Sequence, residues 1–226
     1  MYQSKNSVII VAAGSGSRMG AEVPKQFLLL KEKPILMYTI ELFNSISEIC
    51  EIIVVLSPLQ IDNWKQICEN FNFSKKHTVV AGGASRTESV KNGLDCMQSG
   101  EGVVLIHDGV RPFVSEKMVE DAIKTAQKHR AAVPVVDLID SIRFVESESE
   151  NCAVDRSRYK CVQTPQAFDK ELILEAYKVN GDKEFSDDAA IVESIGAKIS
   201  FFDGDRKNIK ITTVEDLKFS NFVINS

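Results

Sequence analysis

The sequence predicts an α/β fold: a mostly parallel, twisted sheet with helices on both faces and a projecting β-arm. Three observations predict it. Short, unbroken apolar runs at Val8–Ala12, Ile52–Leu56 and Val103–Ile106 read as strands buried on both faces. Stretches with helical apolar spacing separate them, and strand–helix–strand alternation implies parallel pairing. After Val136 the alternation stops, and Asp137–Tyr159 shows strand-like pieces around the polar tip "ESESEN" at 146–151, as an arm would.

The elements follow in order. Val8–Ala12 opens the sheet. Pro34–Phe43 has helical spacing, with a proline near its start where a missing N–H is tolerated. Ile52–Leu56 is the second strand, Ile61–Asn70 a helix, and Thr78–Ala81 a third strand ending at Gly82-Gly83. Arg86–Met97 is helical, and Val103–Ile106 is a fourth strand ending at His107-Asp108. Ser115 can cap a helix whose Met118, Val119, Ala122, Ile123 and Ala126 share one face. Ala132–Val136 is a fifth strand despite Pro134. Beyond the arm, helices are expected at Lys170–Lys178 and Asp187–Ser194, and strands at Lys198–Phe202 and Ile209–Thr212. Thr212 with Glu215 would make a capping box for the last helix.

Length and composition bound the function. The 226 residues suit one domain spanning 1–226, with the arm at about 137–159. Hydrophobic residues make up 44% and charged residues 26%, enough apolar surface for a sizeable core. The net charge of −5 argues against nucleic acid or an anionic membrane as partner, so any anion site must be local. No apolar run reaches the length of a membrane span or a signal-peptide core. The five cysteines are scattered and form no C-x-x-C, which suits reduced thiols in a cytoplasm better than a disulfide framework or a zinc site.

Chemistry-bearing residues gather where strands end. "VIIVAAGSGSRMGAEVPKQF" (8–27) leaves a buried strand through Ala12, Ala13, Gly14, Ser15 and Gly16, then places Arg18 and Lys25. In doubly wound sheets ligands bind at the carboxyl ends of strands, and such a turn lets backbone N–H groups approach a polyphosphate. The spacing fits neither the dinucleotide motif G-x-G-x-x-G nor the P-loop G-x-x-x-x-G-K-[ST]. From the residues alone, a tight turn with two solvated cations remains the alternative. "GGASRTESVKNG" (82–93) is a second such turn, where Gly82 and Gly83 allow close approach and Arg86 and Ser89 could bond a base or ribose. In "LIHDGVRPF" (105–113), Asp108 sits just past a buried strand at the same edge. A carboxylate beside a polyphosphate calls for a cation between them, commonly Mg²⁺. Arg111 can meet a second phosphate bidentately. His107 reads as a satisfied core group. "VDRSRYKCVQTPQAF" (154–168) adds Arg156 and Thr164, and "NIKIT" (208–212) adds Lys210, opposite in face to Ile209 and Ile211. A lone strand lysine is equally well a solvated surface residue.

Taken in order, A-A-G-S-G-S-R-M-G with P-K-Q-F, G-G-x-x-R-x-x-S-V, H-D-x-x-R-P-F, V-D-R, Q-T-P-Q and N-I-K-I-T resemble the 2-C-methyl-D-erythritol 4-phosphate cytidylyltransferase family from about Val8 to Leu217. The resemblance implies a Rossmann-like nucleotidyltransferase fold and transfer of CMP from CTP to a polyol phosphate, with Mg²⁺. It implies that Ala12–Gly16 wrap the CTP phosphates and that Arg18 and Lys25 stabilise charge on the α-phosphate and the departing pyrophosphate. Gly82, Arg86 and Ser89 would lie around cytosine and ribose, and Asp108 would help hold the metal. Arg156 and Lys210 would position the acceptor, with Arg111, Ser141, Thr164 and Ser186 near it. The arm would exchange with a second subunit to form a homodimer, so that Arg156 serves the neighbour's site. The chain departs from the family pattern at Gly109 and Val110, which replace the commoner alanines, and at Ser141 and Ser186, where threonine is commoner. The nearest alternative is a ribitol-5-phosphate cytidylyltransferase, which shares the loop, H-D-x-x-R-P-F and Q-T-P-Q. The A-A-G-S-G-S-R-M-G form and the V-D-R favour methylerythritol phosphate.

Overall fold

The computed structural model describes residues 6–14, 23–98, 101–147 and 149–224. The chain begins with β1 (Asn6–Ala12), a short hairpin of β2 (Leu29–Leu30) and β3 (Lys33–Pro34), and α1 (Ile35–Ser45). β4 (Ile49–Leu56), α2 (Ile61–Asn70), β5 (Thr78–Ala81), α3 (Arg86–Asp95), β6 (Val103–Asp108), α4 (Glu116–His129) and β7 (Ala131–Asp137) continue the alternation. The arm carries β8 (Arg143–Val145) and β9 (Asn151–Ala153). The return runs through β10 (Lys160–Val162), β11 (Gln166–Asp169), α5 (Lys170–Asn180), α6 (Asp188–Glu193), β12 (Ser200–Asp203) and α7 (Val214–Val223).

β1 pairs in parallel with β4 on one side and β6 on the other, and β5 extends β4 in parallel. The expected alternation of burial sets the layers. Val8, Ile10 and Ala12 of β1 join a core cluster with α1 and α4, whereas Ile9 packs on the opposite face with α3 and α5. At the other end of β1, fully buried Asn6 uses its amide as a clamp. Its Nδ2 donates to the Glu48 carbonyl at 3.1 Å and its Oδ1 accepts the Val103 N–H at 2.9 Å.

The departure from a parallel sheet is β11. It lies antiparallel between β6 and β7, so these two strands do not pair with each other. β12 runs parallel along the other edge of β7, where Val135 faces Asp203, while Val162 of antiparallel β10 faces Val135 from the inner edge. The four residues of β11 have no alternation to announce them. β7 tolerates Pro134, whose carbonyl accepts the Gln163 N–H at 2.9 Å.

Two sequence expectations fail here. Ile209–Thr212 alternates like a strand but has no partner strand among the described residues. Its backbone makes one bond to the sheet side, Ile211 N–H to the Val110 carbonyl at 3.0 Å, and Ile211 is buried beside Leu30, Ile35 and Val110. The capping box of α7 belongs to Thr213 and Asp216, one residue later than expected. Asp216 is the better choice because its carboxylate also takes Thr212 N–H and Oγ1, each at 2.8 Å. The arm is a two-stranded hairpin, separate from the main sheet and exposed along β8 and β9.

Candidate active site

The carboxyl ends of β1, β5 and β6 open into one cleft of about 450 Å³. Ala12, Ala13 and Gly14 line it from the end of β1; Ser15, Gly16 and Arg18 lie outside the described residues. Lys25 enters from a 3₁₀ turn, Lys25–Phe27, started by Pro24. The other two residues of that turn are fastened. Buried Gln26 donates to the Ala12 carbonyl at 2.8 Å, and buried Phe27 stacks on Trp64 with ring centroids 5.6 Å apart. A flexible cation is thereby carried on a fixed backbone.

The second wall is the turn between β5 and α3. Ser85 caps α3 by accepting the Glu88 N–H at 3.0 Å, and Glu88 reaches back to the Ala84 N–H at 2.7 Å. Ser89 hydroxyl donates to the Ser85 carbonyl at 2.8 Å and accepts the Gly83 N–H at 3.1 Å, so this expected ligand contact braces the turn. Gly83 lines the cleft; Gly82 is buried and does not. A Cβ at Gly82 would lie 2.7 Å from the Ala13 Cβ and 2.9 Å from the Ser89 Oγ, so glycine is what lets the two turns touch. Arg86 lines the cleft and pairs through Nη2 with Asp188 Oδ2 at 2.5 Å.

The third wall is Asp108, the one acidic side chain lining the cleft among the described residues. Its Oδ2 accepts from Arg111 Nε at 3.0 Å and lies 3.1 Å from Lys210 Nζ. Burial alone would push this carboxyl up, but Lys210, Arg111 and Arg86 outweigh it and hold it well below the usual carboxylate range. Beneath it His107 is fully buried, and desolvation lowers its pKa to about 4. The hydrogen bonds fix its tautomer. The Arg111 carbonyl can only accept, so Nε2 carries the proton and donates over 3.1 Å. Nδ1 therefore accepts from Thr164 Oγ1, which itself accepts the Asp108 N–H, both at 3.1 Å. His107 is the satisfied core group that its position suggests.

Lys210 reaches the cleft without a strand to carry it, because side chains hold its segment. Gln163 Nε2 donates to the Asp205 carbonyl at 2.8 Å, and Asn208 Nδ2 donates to the Thr164 carbonyl at 2.8 Å. Arg111 Nη1 donates to the Asn208 carbonyl at 2.8 Å. Half-buried Arg111 and buried Thr164 are thus supports and do not line the cleft. Ser141, Arg156 and Ser186 are exposed and also lie off it; Arg156 hydrogen-bonds the Ile139 carbonyl inside the arm. Sequence reasoning missed Gln26, Gln163, Asn208 and Asp188. Each is a polar residue whose work depends on burial, and no local pattern marks that.

The donor set bears on a divalent cation. Among the described residues no three His, Cys, Asp or Glu side chains cluster to cage a metal. A single carboxylate in a cleft otherwise lined by cations and uncharged residues would fit Mg²⁺, which keeps waters and takes few protein ligands.

Known proteins resemble the chain over nearly its whole length. The family model described as 2-C-methyl-D-erythritol 4-phosphate cytidylyltransferase matches residues 7–226. A protein of that description from Bacteroides thetaiotaomicron is 45% identical over 220 residues, covering 97% of this chain and 100% of its own. One from Phocaeicola vulgatus is 44% identical over 217 residues, covering 96% of this chain and 98% of its own. Among solved structures, a 4-diphosphocytidyl-2C-methyl-D-erythritol synthase from Anaerococcus prevotii has a TM-score of 0.85 at 31% identity, covering 99% of this chain and 100% of that one. The cytidylyltransferase of Thermus thermophilus has a TM-score of 0.79 at 30% identity, covering 98% of this chain and 100% of that one.

Proposed function

Since the chain belongs to the 2-C-methyl-D-erythritol 4-phosphate cytidylyltransferase family, we infer that it transfers CMP from CTP to 2-C-methyl-D-erythritol 4-phosphate and releases pyrophosphate, a step toward isoprenoid precursors. The observation that carries this reading is the convergence of Lys25, Arg86, Asp108 and Lys210 on one cleft at the carboxyl ends of three strands.

The chemistry follows from the charges. An acceptor phosphate oxygen attacks the α-phosphorus of CTP in line. A new P–O bond forms, and the bond to the bridging oxygen breaks to release pyrophosphate. A phosphate monoester is already nucleophilic near neutral pH, so no side-chain base is required. The obstacle is repulsion between two anions. Backbone N–H groups at Ala13 and Gly14 and the Lys25 ammonium would meet the polyphosphate, and Lys210, 3.1 Å from Asp108, would meet the acceptor phosphate. Asp108 would hold Mg²⁺, which when bound supplies positive charge to the phosphate oxygens. Arg18 belongs to this set by the family pattern.

Arg156 lies off its own chain's cleft, which supports delivery to the site of a second copy by an exchanged arm in a homodimer. The arm also exposes Ile139, Phe144 and Val145, apolar surface that such a partner would cover. No described helix is long and apolar enough to cross a membrane, and the free cysteines suit a reducing cytoplasm.

The test is pyrophosphate release from CTP and Mg²⁺, with methylerythritol 4-phosphate and ribitol 5-phosphate run in parallel. Release with the first alone is expected. Release with ribitol 5-phosphate alone would keep the fold and mechanism and overturn the acceptor.

A further inference from the structure

Asp188 is a carboxylate with no exposed surface, placed in the first turn of α6, far from the strand ends in sequence. Burying such a charge is costly unless both oxygens are satisfied. Here both are. Oδ2 meets Arg86 Nη2 at 2.5 Å, and Oδ1 accepts the Tyr177 hydroxyl at 2.7 Å. Burial, and then the Asp188 charge, raise the Tyr177 pKa, so the phenol stays a donor.

The backbone around Asp188 does not depend on that side chain. Asp187 caps α6 by accepting the Ala190 N–H at 3.0 Å, and Gln166 Nε2 donates to Asp187 Oδ2 at 2.8 Å. Gln166 Oε1 in turn accepts the Ala189 N–H at 2.9 Å. The turn is clamped by its neighbours, which leaves the Asp188 carboxylate free to face Arg86 and Tyr177.

Arg86 is asymmetric. One Nη is fixed by Asp188, while Nε and Nη1 have no protein partner among the described residues, and the side chain lines the cleft at 28% exposure. An arginine loses less freedom per bond formed when its planar fork is already held. A buried ion pair on its own is weak grounds for a stabilising role, since apolar residues of similar volume often serve as well. An anchored fork with open donors in a ligand cleft serves a different purpose.

We propose that Asp188, supported by Tyr177, is a positioning residue that aims the Arg86 guanidinium at CTP. This rests on the reading of the cleft as the CTP site. The pair also joins two stretches 102 residues apart, so the nucleotide-facing turn is braced by a helix that does not line the cleft.

The test is calorimetric titration of Mg²⁺ and CTP into Arg86→Met, Asp188→Asn, Tyr177→Phe and the Arg86→Met/Asp188→Asn double variant, without acceptor. Steady-state KM for methylerythritol 4-phosphate is measured beside it. Arg86→Met and Asp188→Asn are each expected to weaken CTP binding roughly tenfold. Tyr177→Phe should weaken it about threefold, and acceptor KM should move much less than CTP affinity. In the double variant Asp188→Asn should add little, because its effect passes through Arg86. A folded Asp188→Asn with unchanged CTP affinity overturns the proposal, as does an undiminished further loss on the Arg86→Met background. If Asp188→Asn fails to fold, Tyr177→Phe decides: a lowered melting temperature with unchanged CTP affinity makes the cluster purely structural and overturns the proposal. Arg86→Met without effect on CTP would instead overturn the assignment of Arg86 to the nucleotide.

Discussion

At Asp108 a single carboxylate oxygen meets two cations: Arg111, brought to it by the local turn that follows β6, and Lys210, which only the fold brings near. If the cleft cations stabilise charge that develops during transfer, as proposed, Lys25→Ala should lower turnover by about 10²–10³, as loss of one preorganised donor does. Pyrophosphate release under saturating CTP would measure it. His107 sets a second expectation. With its folded pKa near 4 against 6.5 unfolded, the unfolded chain binds more protons between these values. Stability therefore falls as pH drops from 6.5 toward 4, by roughly 3 kcal/mol in all. Asp108, held low, extends the loss below the ordinary carboxylate range. Urea midpoints across this window should flatten in His107→Gln; an unchanged slope would place the proton uptake elsewhere. Lys25, Arg86, Asp108 and Lys210 were legible in the sequence because each stands in a short motif at a strand end or in its own recognisable run. Asp188 and Asn208 were not, because their significance is burial next to a partner 102 and 44 residues away.

At the scale of elements, the turns after β1 and β5 depend on each other. Gly82→Ala would drive a methyl into Ala13 and Ser89, and should cost about 1–3 kcal/mol. CTP affinity should fall with stability, since the same shift moves two cleft walls; thermal melts with and without CTP separate the two effects. The strands at β1, β4, β5 and β6 were readable because their apolar residues run unbroken into the two cores. β11 escaped because it has four residues and begins inside Q-T-P-Q-A-F, where a site motif and a strand overlap. The segment 209–212 misled for the opposite reason. Alternation records which face a side chain takes, and Ile211 does turn inward, but pairing needs a neighbouring strand, and among the described residues none runs beside it.

For the whole molecule, the proposed exchange of the arm makes a decisive prediction. If Arg156 serves the neighbouring copy, Lys25→Ala and Arg156→Ala proteins, each nearly inactive, should regain activity when co-expressed as mixed dimers. One of the two sites would then have both residues. Recovery to a substantial fraction of the wild-type rate supports exchange, and none would mean that Arg156 acts within its own chain. The placement of β11 carries a different kind of consequence, one about time. β6 and β7 are both made before the arm, yet the strand that separates them is made after it. A chain emerging from the ribosome must therefore hold two apolar strand edges apart for about thirty residues of synthesis, until Gln166 arrives to fill the gap. The same insertion that brings Thr164 under Asp108 leaves the nascent protein most prone to stray pairing shortly before its middle closes.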